Sequence, residues 1–196
     1  MARKYELKRR AESVAETRER IVEATVELHE QVGPARTTIS AIADRAGVQR
    51  LTVYRHFPDD RSLFEACSGH WTLRNPRPDP REWVAIDDPV ERLRTALTNL
   101  YAFFRSTEAM TGNLLRDLPE LPALQQVAAP LLEYSNNARS ILDVGWKARG
   151  RKRNLLRAAI GHALEYETWR SLTAREELTD AEAAEAMVTL AHALRS

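Results

Sequence analysis

Cysteine is almost missing from this 196-residue chain. The single Cys67 excludes an internal disulfide. No apolar run approaches the ~18 residues that cross a bilayer, so a membrane partner is not expected. The opening MARKYELKRR is cationic with no apolar stretch behind it, which does not read as a secretory signal; the expectation is a soluble, cytoplasmic protein. Glycine is scarce, at seven residues, and alternating β-branched runs are few, so strand signals are nearly absent. A glycine-rich phosphate loop, paired cysteines and a nucleophile elbow are all lacking, and the five histidines are scattered. His162 and Glu165 lie one helical turn apart, but the second Glu-x-x-His pair and further Glu ligands of a di-metal site are missing. The reading is therefore not an enzyme, with no cofactor and no metal. Excess charge of one sign is lacking too: the formal net charge of +1 excludes a uniformly basic coat and leaves room for a local patch.

What is present is helical periodicity from end to end, with 43% hydrophobic and 29% charged residues, enough for a real core. The fold class expected is all-α. A first helix starts between Ser13 and Thr17, carries Ile21, Thr25, Leu28 and Val32, and stops at Gly33-Pro34. Residues 38 to 45, 49 to 56 and about 60 to 73 read as three further helices. Asn75-Pro76-Arg77-Pro78-Asp79-Pro80 cannot continue a helix, because each proline lacks a donor and restricts the residue before it. Asp88-Pro89 then opens a helix whose stripe is Val90, Leu93, Leu97, Leu100, Tyr101 and Phe104. Beyond Pro119, Pro122 and Pro130 a helix runs through Leu131, Tyr134, Ala138, Ile141 and Leu142, loosened by Gly145 and Gly150. Two helices close the chain, at about 152 to 173 and 180 to 194, the last opened by Thr179 and Glu182 at capping-box spacing.

TISAIADRAGVQRLTVYRHF, residues 38 to 57, suits two short helices crossing steeply. Ala43 allows close approach, Gly47 takes the tight turn, and Ile42, Ala46, Val48 and Val53 bury the inner faces. The outer face of the second helix shows Gln49, Arg50, Thr52, Tyr54 and Arg55, able to reach base edges and phosphates in a major groove. Between Pro34 and Pro58 four arginines, at 36, 45, 50 and 55, are opposed only by Asp44, a net +3 and the sign that phosphate binding requires. Thr38 would cap the first helix of the pair and leave free amides to meet a phosphate. The first ten residues carry Arg3, Lys4, Lys8, Arg9 and Arg10 against Glu6, and read either as a solubilising tail or as an arm along DNA.

At these residues the sequence resembles the tetracycline-repressor (TetR) family of bacterial transcription regulators. The similar region, Thr17 to Ala66, combines the helix-pair core with Tyr54-Arg55-His56-Phe57 and Leu63-Phe64. The resemblance implies DNA contacts at Thr38, Gln49, Arg50, Leu51, Thr52, Tyr54, Arg55 and His56, with Thr38 and His56 on the backbone. It also implies three parts: a flexible basic arm over 1–16, a helix-turn-helix DNA-binding domain over 17–62, and a helical regulatory and dimerisation domain over 63–196. Three positions depart from the family's pattern. Asp60 stands where many members have a phosphate-contacting lysine, and Asp59 and Asp60 look instead like N-terminal acids of the next helix. Leu51 stands where glycine is frequent, and either meets a thymine methyl or packs locally. His29 replaces an aromatic or apolar residue, and no switch is attached to it.

The second half has no motif that names a ligand. Leu155, Ala159, His162, Tyr166 and Trp169 recur on one side of the penultimate helix, and Leu156, Ile160 and Leu164 line another. A helix apolar on two sides needs two partners, so the last two helices, with Ala183, Met187, Leu190, Ala191 and Leu194, are expected to form a homodimer interface. Tyr101, Phe104, Arg105, Met110, Asn113, Leu114, Trp146, His162, Tyr166 and Trp169 mix aromatic walls with polar groups as effector cavities do. The function expected is a sequence-specific DNA-binding regulator, a ligand-responsive repressor that binds double-stranded palindromic DNA as a homodimer and answers a small-molecule effector. The alternative is a helical small-molecule-binding or interaction protein that does not bind DNA, a reading kept open by Asp60 and the near-zero net charge.

Overall fold

The computed structural model describes residues 2–195, with side chains described for all of these except 2–4 and 7–8. Arg3, Lys4 and Lys8, counted in the charge of the N-terminal segment, therefore have side chains outside the described residues. Every regular element among the described residues is helical, as expected. The chain forms two compact units, Met1–Pro76 with Ala109–Ala128, and Arg77–Glu108 with Ala129–Ser196.

In the first unit α1 spans Ala2–Gln31, beginning well before the expected start at 13 to 17. The reason is local: residues 2–20 contain neither glycine nor proline, and Thr17 turns its hydroxyl back onto the Ser13 carbonyl at 2.8 Å instead of capping. Gly33 ends the helix at φ 93, a conformation that disfavours any side chain. After a 3-10 turn at Pro34–Arg36 come α2 (Ile39–Ala46), α3 (Arg50–His56) and α4 (Asp60–Arg74). Their shared core is Ile21, Val22, Ala24 and Leu28 of α1, Ile42, Ala43 and Ala46 of α2, Val53 and Phe57, and Leu63 and Cys67 of α4. Burial pushes the Cys67 thiol up to about 12, so it sits in this core as an unreactive apolar side chain. The unit also holds most of α6 (Glu108–Asp117) and α7 (Pro122–Val127), which packs on α4.

In the second unit α5 (Pro89–Ser106) starts as read, with the Asp88 carboxylate accepting the Val90 amide at 2.8 Å and Pro89 following. Its stripe Leu93, Leu97, Leu100, Tyr101 and Phe104 is buried against α11 (Asp180–Ala193), which contributes Ala183, Ala184, Met187, Val188 and Ala191. The capping box of α11 is formed, with both Thr179 and Glu182 in place. α8 (Ala129–Leu142) completes the layer.

The single helix expected over 152 to 173 is instead two, α9 (Gly150–Ala163) and α10 (Tyr166–Ala174). The break survives because its freed carbonyls find partners from other turns: the Tyr101 hydroxyl donates to Ala163 O at 2.9 Å and the Thr168 hydroxyl to His162 O at 2.6 Å. Its consequence is rotational. Tyr166 and Trp169 turn inward, while Leu155 and His162 stay at the surface.

Candidate nucleic-acid interface

The geometry of the helix pair follows from three local choices. Thr38 takes extended backbone and accepts the Ala41 amide at 3.1 Å, capping α2 as read. Gly47 closes α2 in the left-handed region at φ 65, which lets the Val48 amide return to Ala43 O at 2.9 Å and turns the chain into α3. Val53, fully buried, and Phe57 then pin α3 by one face to the core. The opposite face is thereby fixed outward: Gln49, Arg50, Leu51, Tyr54 and Arg55 are exposed, and Thr52 and His56 partly so. Leu51 is 68% exposed, so of its two readings local packing fails and a free apolar tip remains. Gln49 is the N-cap of α3 without using its side chain, which leaves that amide free as well.

The charges are distributed less evenly than the sequence count suggests. Arg45 is bound to Glu27 at 2.9 Å and to Gln31 on α1, so the patch keeps Arg36, Arg50 and Arg55. Arg18 of α1 was not foreseen. Its guanidinium lies 4.8 Å from the Phe57 ring centre, a contact between residues 39 positions apart that no spacing rule signals. Burial, then the charges of Arg55 and Arg18, hold the His56 imidazole below its ordinary value, favouring a neutral ring. Asp59 caps α4 through the Ser62 amide at 2.7 Å, so the acids at 59 and 60 belong to a helix start. Arg61 is engaged by Glu65 and Gln126.

α6 fastens the approach to the pair. Asn113, expected beside an effector, donates to His29 O at 3.1 Å and Glu30 O at 2.8 Å, closing the carbonyl end of α1. The buried Asp117 carboxylate accepts the Ala35 amide at 3.0 Å and is gripped by Arg116, whose guanidinium also reaches Val32 O at 3.0 Å. A side chain at Gly33 would collide with both Arg116 and Asp117. Asp117→Ala strands the Ala35 amide and the Arg116 fork together. The expected cost is about 1 to 3 kcal/mol, seen as a lower urea midpoint with a weaker grip on DNA.

The effector residues expected from sequence do not gather in one place. Met110 and Asn113 belong to the first unit, and Tyr101, Phe104, Arg105, Trp146, His162, Tyr166 and Trp169 to the second. Tyr101, Phe104, Tyr166 and Trp169 do form one cluster, with Phe104 edge-on to Tyr166 at 5.4 Å and 5.8 Å from Trp169. Their polar atoms are occupied: Trp169 Nε1 donates to Asp180 at 2.9 Å and the Tyr166 hydroxyl to Glu108 O at 3.2 Å. Arg105 pairs with Asp180 and covers Trp169. Trp146 Nε1 is bound to Leu142 O, and His162 is exposed.

No group of three or more His, Cys, Asp or Glu that could hold a metal occurs among the described residues, and no helix among them is long and apolar enough to cross a membrane. Residues 21–67 match the N-terminal segment of "bacterial regulatory proteins, tetR family". The chain is 32% identical over 105 residues to the HTH-type transcriptional repressor KstR of Mycobacterium tuberculosis, covering 52% of this chain and 48% of that one. It is 45% identical over 49 residues to the nucleoid occlusion factor SlmA of Marinobacter nauticus, covering a quarter (25%) of each chain. The chain thus spans a quarter and about half of the length of these relatives. A TetR-like transcriptional regulator from Rhodococcus sp. RHA1 shares the fold at a TM-score of 0.61 and 21% identity, over 90% of this chain and 93% of that one.

Proposed function

Since the chain belongs to the tetR family of bacterial regulatory proteins by residues 21–67 and by its fold, we propose that it is a sequence-specific DNA-binding regulator, acting as a homodimeric, ligand-responsive repressor on a palindromic operator. One observation carries the reading: Val53 and Phe57 lock one face of α3 into the core and leave Gln49, Arg50, Leu51, Tyr54 and Arg55 as a polar outer face with one apolar tip. Arg50 and Gln49 supply the donors that read purine edges, and Leu51 meets a thymine methyl. Thr38, His56, the first-turn amides of α2 and the Tyr54 hydroxyl hold phosphates, setting register without reading sequence.

The working parts are a basic arm over 1–16, the DNA-binding domain over 17–62 and the regulatory domain over 63–196. Two recognition helices enter successive major grooves only if two chains pair, and the surfaces left apolar on α9 and α11 support that pairing. Leu155 is 47% and Leu190 56% exposed, amid the small residues Ala158, Ala159, Ala186 and Ala193. An effector held in the second unit favours a spacing of the two recognition helices that no longer fits both half-sites, lowering affinity by population shift. The likeness to KstR, a transcriptional repressor, supports repression.

Arg50→Ala is expected to weaken operator binding by about 1 to 3 kcal/mol and to relax the preference for one base, measured by gel shift at fixed salt against single-base operator variants. Unchanged discrimination would remove Arg50 from the reading face. Absence of any binding to the protein's own upstream DNA at two salt concentrations leaves the non-DNA-binding alternative.

A further inference from the structure

Buried polar groups in the second unit are, with few exceptions, answered by the protein itself. The guanidinium of Arg92, 6% exposed, is saturated by carbonyls of Ile86 at 2.8 Å, Asp87 at 3.2 Å and Val144 at 2.9 Å, with Ile141 beyond. Tyr101, Tyr166, Trp146 and Trp169 all donate to a chain acceptor. Arg77 and Tyr134 break that pattern. Arg77 is half-buried, with its guanidinium carbon 5.8 Å from the Phe103 ring centre and 5.9 Å from that of Tyr134. No carboxylate of the described residues pairs with it: Asp79, two positions on, gives its oxygens to Arg81, at 2.6 Å for the shortest contact. The Tyr134 hydroxyl is buried with no hydrogen-bond partner.

We propose that Arg77, Tyr134 and Phe103 form the head-group end of an effector site, and that the effector is an amphipathic monocarboxylate. The inference rests on the ligand-responsive reading above and names the class of its ligand. The chemistry of the cluster selects that class. Arg77 and the Tyr134 hydroxyl both offer protons, and the planar fork of a guanidinium fits the two oxygens of a carboxylate. One cation neutralises one negative charge, so a phosphate dianion would leave uncompensated charge among aromatic rings. Phe103 touches Phe104 at 6.2 Å and so leads toward the aromatic cluster, giving the ligand's apolar body a surface to cover. Pro76 and Pro78 flank Arg77 and restrict its backbone, so little ordering is left for binding to impose. Burial draws the guanidinium below its ordinary value and pushes the Tyr134 hydroxyl up to about 12, the signs of a donor pair whose anion is elsewhere.

The test uses the full chain and a panel of probes: hexanoate, decanoate, phenylacetate and naphthoate, each beside its uncharged primary amide, with binding read by the rise in melting temperature. A carboxylate is expected to raise Tm in a saturable way while its amide does not. Arg77→Gln is expected to weaken that binding at least tenfold, Arg77→Lys less, and Tyr134→Phe a few-fold. The ligand-free Arg77→Gln protein is expected to keep or raise its Tm, because it loses a buried charge without a partner; a structural arginine would lower it. Failure of every carboxylate to bind, equal binding of an amide, undiminished binding to Arg77→Gln, or a marked fall in that variant's ligand-free Tm would each overturn the assignment. A ligand-free gel shift is run in parallel. Loss of DNA binding with carboxylate binding intact sinks the regulator reading and leaves this site standing.

Discussion

Trp169→Ala is expected to destabilise the second unit by about 4 kcal/mol, the range for truncating a large buried aromatic. The indole is fully buried, packs 5.4 Å from Tyr166 and 5.8 Å from Phe104, and lies under the Arg105 guanidinium at 4.8 Å. Truncation opens a cavity, removes both ring contacts and the Arg105 contact, and deletes the Nε1 donor to Asp180. Asp180 keeps Arg105, so its carboxylate is not stranded. Urea denaturation followed by circular dichroism measures the loss, with a lower midpoint and an unchanged slope expected. The experiment also separates two roles for the aromatic cluster. A fold that keeps its midpoint and loses only effector response makes Trp169 a wall of the ligand site, whereas a collapse of stability makes it core.

Acid should weaken the first unit through His29. The ring is 6% exposed and 5.7 Å from Phe64, and burial lowers its pKa from 6.5 to about 4 against a smaller opposing pull from Asp117. The folded pKa lies below the unfolded one, so the unfolded chain binds the proton first. Stability is full above about pH 6.5 and is lost as pH falls from there toward 4, by about 3 kcal/mol at the lower end. His29→Leu should flatten this dependence and gain over the parent at pH 5. Asp117 and Asp180 are held below the usual carboxylate range, so their contributions fade at lower pH and leave this window to histidine. His56 moves in the same direction but is half-exposed, and solvent screening makes it a smaller contributor. Parallel curves for parent and His29→Leu would show that the imidazole is not what titrates.

The α2–α3 pair was legible in the chain because every feature that makes it is local. A cap at Thr38, a left-handed Gly47 and apolar residues at Ile42, Ala46 and Val53 each act within four residues of their partners, so spacing exposes them. The same holds for Asp88-Pro89 and for the Thr179–Glu182 box. The proposed effector residues were less legible. Side-chain type alone does not tell an aromatic wall from aromatic core, nor Asn113 in a pocket from Asn113 closing the end of α1 across 84 positions. Arg77 and Tyr134 carried no signal at all, since an arginine between prolines reads as surface loop until its surroundings are known.

Composition and periodicity alone therefore set the all-helical class, the helix-turn-helix and the outward face of α3, since all of these depend on residues a few positions apart. Tertiary packing decided the rest. It broke the penultimate helix between Ala163 and Tyr166, because hydroxyls from Tyr101 and Thr168 could satisfy the freed carbonyls. It put Asn113 and Asp117 behind the DNA-facing pair, and left Arg77 beside two rings without an anion. Which buried polar group finds a partner is settled by what the fold brings within about 3 Å, and no period in a sequence reports that.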